Sequence, residues 1–385
     1  MKAAFFNEAE TRKKLADFIL KSDILSMGKE TKKFEEDFAK KQERKHAVFV
    51  NSGSSANLIL LQALINIGKI KAGANVGISS LTWATNVMPI IQLGLNPVAI
   101  DVSLSTLNIS PETLKPHLKN LDALFLTNVL GFSDDIEAIE KECKAKKIIL
   151  LEDNCESLGS KVKGRLLGNF SLASTFSFFV AHHISTIEGG MVCTDDEDLY
   201  HAIVMARAHG WDRNLPPHKQ AHFRNKHDIG DFHAKYSFYD LAYNVRPTDV
   251  NGFLGNLQLP HWDVLVNARE NNFRKFAEAV AENKDFIPVD VNHMDIVSNF
   301  AMPIIVKDEE LFHAYKKKFE DNLVEIRPII AGDITKQPFY KKHVSSKNKE
   351  NKNAHFIHSH GFYFANNPDL TKKEVEILIK LLSSR

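Results

Sequence analysis

Apolar residues near the start of the chain recur at helical spacing. Leu15, Phe18 and Ile19, then Phe34 and Phe38, lie three or four positions apart among Lys and Glu, which predicts helix across roughly 9–44. The pattern then changes to short apolar runs separated by amphipathic stretches. HAVFV (46–50), NVGIS (75–79), NPVAID (96–101), LDALFLTN (121–128) and KIILLED (147–153) read as strands, and SANLILLQALINI (55–67), TNVMPIIQLG (85–94) and DIEAIEKECKAK (135–146) as helices. Strands alternating with helices at this spacing predict an α/β domain with a mostly parallel sheet covered on both faces. Two more strands, ASTFSFF (173–179) and GMVCT (190–194), follow one another closely. Residues 209–236 read as a polar loop, 244–259 as a helix and 264–283 as a long helix. Beyond these, NFAMPIIV (299–306) reads as a strand, with helices near 308–320 and 371–383 and a polar surface loop at 342–355. This last part predicts a small α+β lobe packed on the larger sheet.

Composition narrows the class without naming it. Lys and Arg number 49 against 48 Asp and Glu, a balance that argues against bulk electrostatic binding of nucleic acid or anionic lipid. No apolar run approaches the ~18 residues needed to span a bilayer. The opening MKAAFFNEAETRKKLADFIL has the wrong order for a secretory signal, because acidic residues interrupt it early. Cys143, Cys155 and Cys193 are too few and too scattered for a disulfide framework or a CxxC zinc site, so a reducing cytoplasm is expected. Seventeen His raise the question of a metal, but no ligand spacing supports one.

Four segments fall at the carboxyl ends of predicted strands, where open α/β sheets bind ligands. In VNSGSSAN (50–57), Gly53 lets the backbone approach an anion, and Ser54 and Ser55 open a helix whose positive end favours phosphate. A helix N-cap with a tight turn accounts for the same residues, and on this segment alone it is the simpler account. In LEDNCES (151–157), a carboxylate emerges where the strand ends, suited to a cationic ring nitrogen or, equally, to a cap or surface ion pair. In TFSFFVAHHISTIEGGMVCTDD (175–196), the adjacent His182 and His183 cannot chelate from one helix face. Alone, such a His is more often structural; beside a phosphate turn and an acid it becomes a candidate general base. In AYNVRPTDVNGFLGNLQL (242–259), Asn244 and Arg246 either cap a helix or reach a neighbouring subunit's site.

Taken in order, these segments resemble the DegT/DnrJ/EryC-type sugar aminotransferase family of pyridoxal phosphate enzymes, of fold type I (aspartate aminotransferase-like). The resemblance rests on MGKETKKFE (27–35), the SGSSA turn, LTWATN (81–86), the Glu152-Asp153 pair, the stretch from Ser177 to Gly190 and YNVRPTD (243–249). It implies a large cofactor-binding domain over 1–260, and over 261–385 a long connecting helix and a small α+β domain. It further implies that Gly53, Ser54, Ser55 and Ser177 hold the cofactor phosphate and that Trp83 stacks on the pyridine ring. Asp153 would pair with the ring nitrogen, and Glu156 would stand where many members have Gln near the ring hydroxyl. Asn244 would reach the phosphate from the second subunit of a homodimer. An isolated Trp such as Trp83 is, without the resemblance, usually a core residue.

The informative departure is His182. Aminotransferases of this family have Lys there, which holds the cofactor covalently; an imidazole makes no stable link of that kind but still takes a proton near neutral pH. The AHHIST run (181–186) resembles the branch of 3-dehydratases that make 3,6-dideoxyhexoses, for example for lipopolysaccharide O-antigen. Members of that branch with a [2Fe–2S] cluster carry clustered cysteines, and residues 209–236 contain none. The resemblance therefore implies the cluster-free kind, with no metal. It would work on a nucleotide-linked 4-keto-6-deoxy sugar, GDP-4-keto-6-deoxymannose first among the candidates, with L-glutamate converting pyridoxal to pyridoxamine phosphate. His182 would be the catalytic base, and ammonia would leave. A sugar-nucleotide aminotransferase and a non-catalytic sugar-nucleotide-binding relative are the competing expectations.

Overall fold

The computed structural model describes residues 4–345 and 351–383. Two helices open the chain, α1 (Glu8–Lys21) and α2 (Lys29–Lys41). The single helical stretch expected over 9–44 is thus broken at 22–28, where the apolar register slips and Gly28 starts the second helix. Next come β1 (His46–Val50), α3 (Gly53–Asn66), β2 (Asn75–Ser79), α4 (Ala84–Gln92), β3 (Asn96–Ile100) and α5 (Pro111–Leu114). They are followed by β4 (Ala123–Thr127), α6 (Ile136–Lys146), β5 (Ile149–Asp153) and a short hairpin of β6 (Lys161–Val162) and β7 (Arg165–Leu166). After β8 (Ala173–Ser177), β9 (Gly190–Thr194) and α7 (Glu197–Arg207) stand two helices in place of the expected polar loop, α8 (Pro217–Lys226) and α9 (Asp231–Ala234). Helix α8 buries none of its residues, so it lacks the apolar stripe by which a helix is read from sequence.

Helix α10 (Asp249–Gln258) starts five residues later than expected, because Thr248 caps it and Asn251 completes a reciprocal capping box. The long α11 (Trp262–Glu282) then leads to β10 (Met294–Ile296), β11 (Ala301–Ile305), α12 (Glu309–Asp321), β12 (Ile326–Pro328), α13 (Pro338–His343), α14 (Lys352–His360), β13 (Gly361–Ala365) and α15 (Lys372–Leu382). Of the surface loop expected at 342–355, residues 346–350 lie outside the described residues, and Lys352 already begins α14.

The main sheet has the order β1-β9-β8-β5-β4-β2-β3. All its strands run parallel except β9, which pairs antiparallel with both β1 and β8. Strands β11, β13 and β12 make a small antiparallel sheet. One continuous apolar cluster joins the two: Leu124 and Leu126 of the large sheet, Phe273 and Phe276 of α11 and Ile304 and Phe362 of the small sheet belong to it. The small sheet is thereby pinned beside the carboxyl ends of the large one, which fixes the walls of the cleft between them.

Candidate active site

A cavity of about 340 Å³ opens at the carboxyl ends of the parallel strands. Thr127 ends β4, Asp153 ends β5 and Ser177 ends β8, and all three line it. The side chains arrive there because each is the last residue of its strand, at the edge where open parallel sheets bind ligands. Phe300, Arg327 and Tyr363 close the cavity from the small-sheet side.

The turn from β1 into α3 forms one wall. Ser52 is the N-cap of α3: its Oγ accepts from Ser55 N at 3.1 Å and donates to Ser55 Oγ at 2.9 Å. Ser52, Gly53 and Ser54 face the cavity, whereas the Ser55 hydroxyl is spent inside the turn. A Cβ on Gly53 would lie 2.8 Å from Ser177 Cβ and 3.1 Å from Cys155 Sγ, so only glycine lets the three loops meet. The four-turn helix behind them directs its positive end at the same spot.

Asp153 sits at the floor, 4% exposed. Its Oδ2 accepts from Asn57 Nδ2 at 2.9 Å and Asn86 Nδ2 at 2.7 Å, and its Oδ1 accepts from Cys155 N at 2.9 Å. Three donors hold the carboxylate, yet among the described residues no cationic side chain pairs with it. A buried anion so fixed is a site for a cation brought from outside the chain. Trp83, at the N-cap of α4, lines the cavity with 55% of its surface exposed, which sets aside the core role an isolated Trp usually has.

Glu156 also lines the cavity, its Oε2 accepting from Leu130 N at 2.9 Å. Leu130 adopts a left-handed backbone (φ 53°), a conformation unusual for a leucine, and this points its N–H at the carboxyl. Burial pushes the Glu156 carboxyl up to about 7, against the Leu130 hydrogen bond and with help from the charge of Asp153. The thiol of Cys155 is likewise pushed well above its ordinary value by burial and by Asp153, which disfavours the reactive thiolate.

His182 lies on the excursion between β8 and β9, half-buried, its ring 5.1 Å from that of Phe300. Its Nδ1 meets the carbonyl oxygen of Cys155. A carbonyl only accepts, so Nδ1 carries the hydrogen and Nε2 keeps its lone pair. Burial lowers the imidazole below its ordinary value, opposed by the Cys155 carbonyl and by Asp153. His183 has the opposite surroundings: it is buried, its Nε2 donates to Ser298 O at 2.9 Å, and burial with the nearby Arg269 holds it well below its ordinary value. One histidine faces the cavity and its neighbour ties the excursion to the small-sheet side.

Asn244 does not line its own chain's cavity. It is exposed, its Oδ1 accepts from Arg246 Nε at 2.9 Å, and the adjacent Val245 carbonyl takes a hydrogen bond from Asn51 N at 3.0 Å. No residue of 209–236 lines the cavity, and of 355–364 only Tyr363 does. The side chains that sequence reading passed over are Ser52, Asn57, Asn86, Phe300, Arg327 and Tyr363. Asn57 left a trace, being a polar residue on a buried position of an otherwise apolar helix.

A parallel sheet with a phosphate-type turn, an unpaired acid and an exposed ring at its carboxyl ends defines a cofactor enzyme of the aminotransferase fold. The chain belongs to the DegT/DnrJ/EryC1/StrS aminotransferase family, whose profile matches residues 7–383. It is 34% identical to the GDP-4-keto-6-deoxy-D-mannose 3-dehydratase of Yersinia pseudotuberculosis over 374 residues, 94% of this chain and 93% of the relative. The enzyme of the same name from Escherichia coli O55:H7 is 34% identical over 373 residues, 94% of each chain. A crystal structure of GDP-4-keto-6-deoxymannose-3-dehydratase with a trapped PLP-glutamate geminal diamine superposes with a TM-score of 0.90 at 30% identity, covering 97% of both chains. The Helicobacter pylori aminotransferase of pseudaminic acid biosynthesis shares the fold alone, with a TM-score of 0.83 at 22% identity.

Proposed function

We propose that the chain is a pyridoxamine phosphate-dependent 3-dehydratase. It removes the C3 hydroxyl of a nucleotide-linked 4-keto-6-deoxyhexose, GDP-4-keto-6-deoxymannose in the first instance, with L-glutamate as amino donor. The observation that carries this reading is His182, with Nδ1–H committed to the Cys155 carbonyl and Nε2 free at the cavity where family aminotransferases have Lys. The similarity to two 3-dehydratases of that specificity along almost the whole chain supports it.

The residues present fit pyridoxal phosphate. Gly53, Ser54 and Ser177, with Ser52 and Ser55 shaping the turn, would hold its phosphate; Trp83 would cover the ring; Asp153 would hold the ring nitrogen protonated; Glu156 would lie at the ring hydroxyl. When bound, the cofactor supplies an electron sink next to the sugar's C4. His182 Nε2 accepts a proton at the carbon bearing the transferred amine and returns one to the oxygen leaving C3. Asn57 and Asn86 keep the Asp153 carboxylate oriented for its partner. We read 1–260 as the cofactor-holding domain and 261–385 as the part supplying Phe300, Arg327 and Tyr363 to the sugar side.

The active unit in this reading is a homodimer. Asn244 is exposed outside its own cavity, and the same segment exposes Phe232, Tyr236, Phe238 and Leu241, an apolar surface suited to a second copy. No described helix is long and apolar enough to cross a membrane. The three cysteines are unpaired, which supports a cytoplasmic enzyme. The test is incubation with pyridoxal phosphate, L-glutamate and GDP-4-keto-6-deoxymannose, followed by mass spectrometry and an ammonia assay. A sugar lighter by one oxygen with ammonia released is expected; a sugar whose ketone has become an amine would instead make the protein an aminotransferase.

A further inference from the structure

Strand β1 is an edge of the main sheet, so the outward N–H and C=O of Phe49 need partners from outside it. A charged pair supplies both. Phe49 N donates to Glu35 Oε1 at 2.7 Å, Phe49 O accepts from Arg207 Nη1 at 2.8 Å, and Nη1 also donates to the same Glu35 oxygen. The Arg207 and Glu35 side chains are 5% and 15% exposed, and Arg207 Nε is buried with no hydrogen-bond partner. Burying two charges costs about as much as their attraction returns, so stability alone does not account for the pair. What it holds on either side is more specific. Two residues past Phe49, Asn51 N donates to Val245 O at 3.0 Å, and Val245 N donates to Arg207 O at 3.0 Å. With the guanidinium on Phe49 O, these bonds close a ring through Phe49, Asn51, Val245 and Arg207. The Arg207 side chain grips the strand that runs into the Ser52-Gly53 turn, and its carbonyl grips the segment that carries Asn244. Tyr243 is fastened to the same stretch: its N donates to Ala206 O at 2.9 Å and its O accepts from His209 N at 2.7 Å. Asn244 is thus pinned through both neighbours while its side chain stays exposed.

We propose that Arg207, held by Glu35, is a positioning residue for two phosphate sites at once: it places the turn of its own chain's site and the Asn244 that its chain lends to a second copy. This role rests on the homodimer reading above and names what aligns the two contributions of each chain. A shift of β1 against the end of α7 would move the turn and Asn244 together, so neither site changes its hold on phosphate without the other.

The experiment has two arms. In the first, cofactor-free protein is dialysed to equilibrium against pyridoxal phosphate and against pyridoxal, at a temperature where circular dichroism shows each variant folded. The ratio of the two affinities isolates the share owed to the phosphate. Arg207→Lys keeps the charge but not the planar fork that serves Phe49 O and Glu35 together. It should weaken pyridoxal phosphate about tenfold, the worth of one charge-assisted hydrogen bond, and leave pyridoxal unchanged. Equal weakening of both ligands is general loosening and overturns the proposal, as does an unchanged affinity for pyridoxal phosphate. In the second arm, His182→Asn chains are mixed with Asn244→Ala chains, so that a mixed dimer has one intact site, built on the His182 of the Asn244→Ala chain. Arg207→Lys added to the His182→Asn chain touches that site only through the Asn244 it lends. It should raise the half-saturating pyridoxal phosphate for sugar turnover about as much as when added to the other chain. An effect confined to the other chain overturns the two-site role. A parent mixture without activity overturns it as well, by failure of the homodimer reading, and the dialysis ratio then decides the hold on the chain's own turn. Whether the sugar product is deoxygenated or aminated bears on the dehydratase reading alone.

Discussion

A single carbonyl oxygen, that of Cys155, decides what His182 does. By taking the Nδ1 hydrogen it leaves Nε2 as the acceptor, and burial shifts protonation of the ring below its ordinary value of 6.5. The acid limb of the sugar-stage rate should therefore fall below pH 6.5; a limb above that pH, in a pH–rate profile taken from pyridoxamine-loaded enzyme, would remove His182 as the base. His182→Asn keeps a polar side chain but accepts no proton, and should slow dehydration about a hundredfold or more while the cofactor still binds. His182→Lys should gain transamination and lose dehydration. Glu156 makes a stability prediction of definite sign. Its folded value, about 7, lies above the ordinary 4.5, so the ionised form is penalised in the folded state and wild type loses stability as pH rises from 4.5 to 7. Glu156→Gln keeps an acceptor for Leu130 N–H and has no charge to bury. Cofactor-free Glu156→Gln should match wild type near pH 4 and exceed it above pH 7 by up to about 3 kcal/mol in denaturant unfolding.

Among the elements, the junction of α2 and α10 shows what local reading captures and what it misses. Helix α2 has no capping side chain of its own at Gly28. Its free amides are satisfied by Asp249, 221 residues later: Oδ1 accepts from Gly28 N at 2.7 Å, Thr31 N at 3.0 Å and Thr31 Oγ1 at 2.8 Å, and Oδ2 from Glu30 N at 3.2 Å. A Cβ on Gly252 would stand 2.6 Å from Thr31 N, so the two helices approach closely there. Asp249→Ala should cost about 3 kcal/mol and Asp249→Asn less, read as a shift of the denaturant midpoint. Gly252→Ala should destabilise by about 1–3 kcal/mol through overlap. The RPTD stretch marked a helix start in the sequence, but nothing local said that its Asp caps a different helix. The same limit explains the other gaps. Strands β1 to β5 were legible because each is a short apolar run, and Asp153 at the end of β5 followed from that, whereas Ser177 at the end of β8 was picked out by the family resemblance. Asn57 and Asn86 were not, since an amide inside a helix reads as solvent-facing until the carboxylate it serves is in place. Strand β13, central in the small sheet, was not among the strands expected, because its Gly361 start and His-rich lead-in suggest a turn. Arg327 and Tyr363 reach the site only through that sheet.

At the level of the whole molecule the proposed dimer gives a quantitative test. If each site takes His182 from one chain and Asn244 from the other, His182→Asn and Asn244→Ala are each inactive alone. Their random mixture should regain about a quarter of wild-type activity, since half the dimers are mixed and one of their two sites is intact. No recovery after unfolding and refolding the mixture would place both residues' roles within one chain. The family and the order of its motifs were legible along the entire sequence, whereas which lobe supplies which wall of the cleft was not, because the apolar cluster joining the sheets is assembled from segments hundreds of positions apart. That assembly has a temporal side. Helices α1 and α2 and strand β1 are made before the elements that complete them, since among the described residues β1 pairs only with β9 and the α2 amides are capped by Asp249. At about 5–20 residues added per second, α2 waits roughly 10–40 s for its cap. Throughout that interval Phe34 and Phe38, both fully buried at the end, lack part of their cover, Trp262 included, so α2 is an apolar surface open to chaperones until the chain reaches α10 and α11.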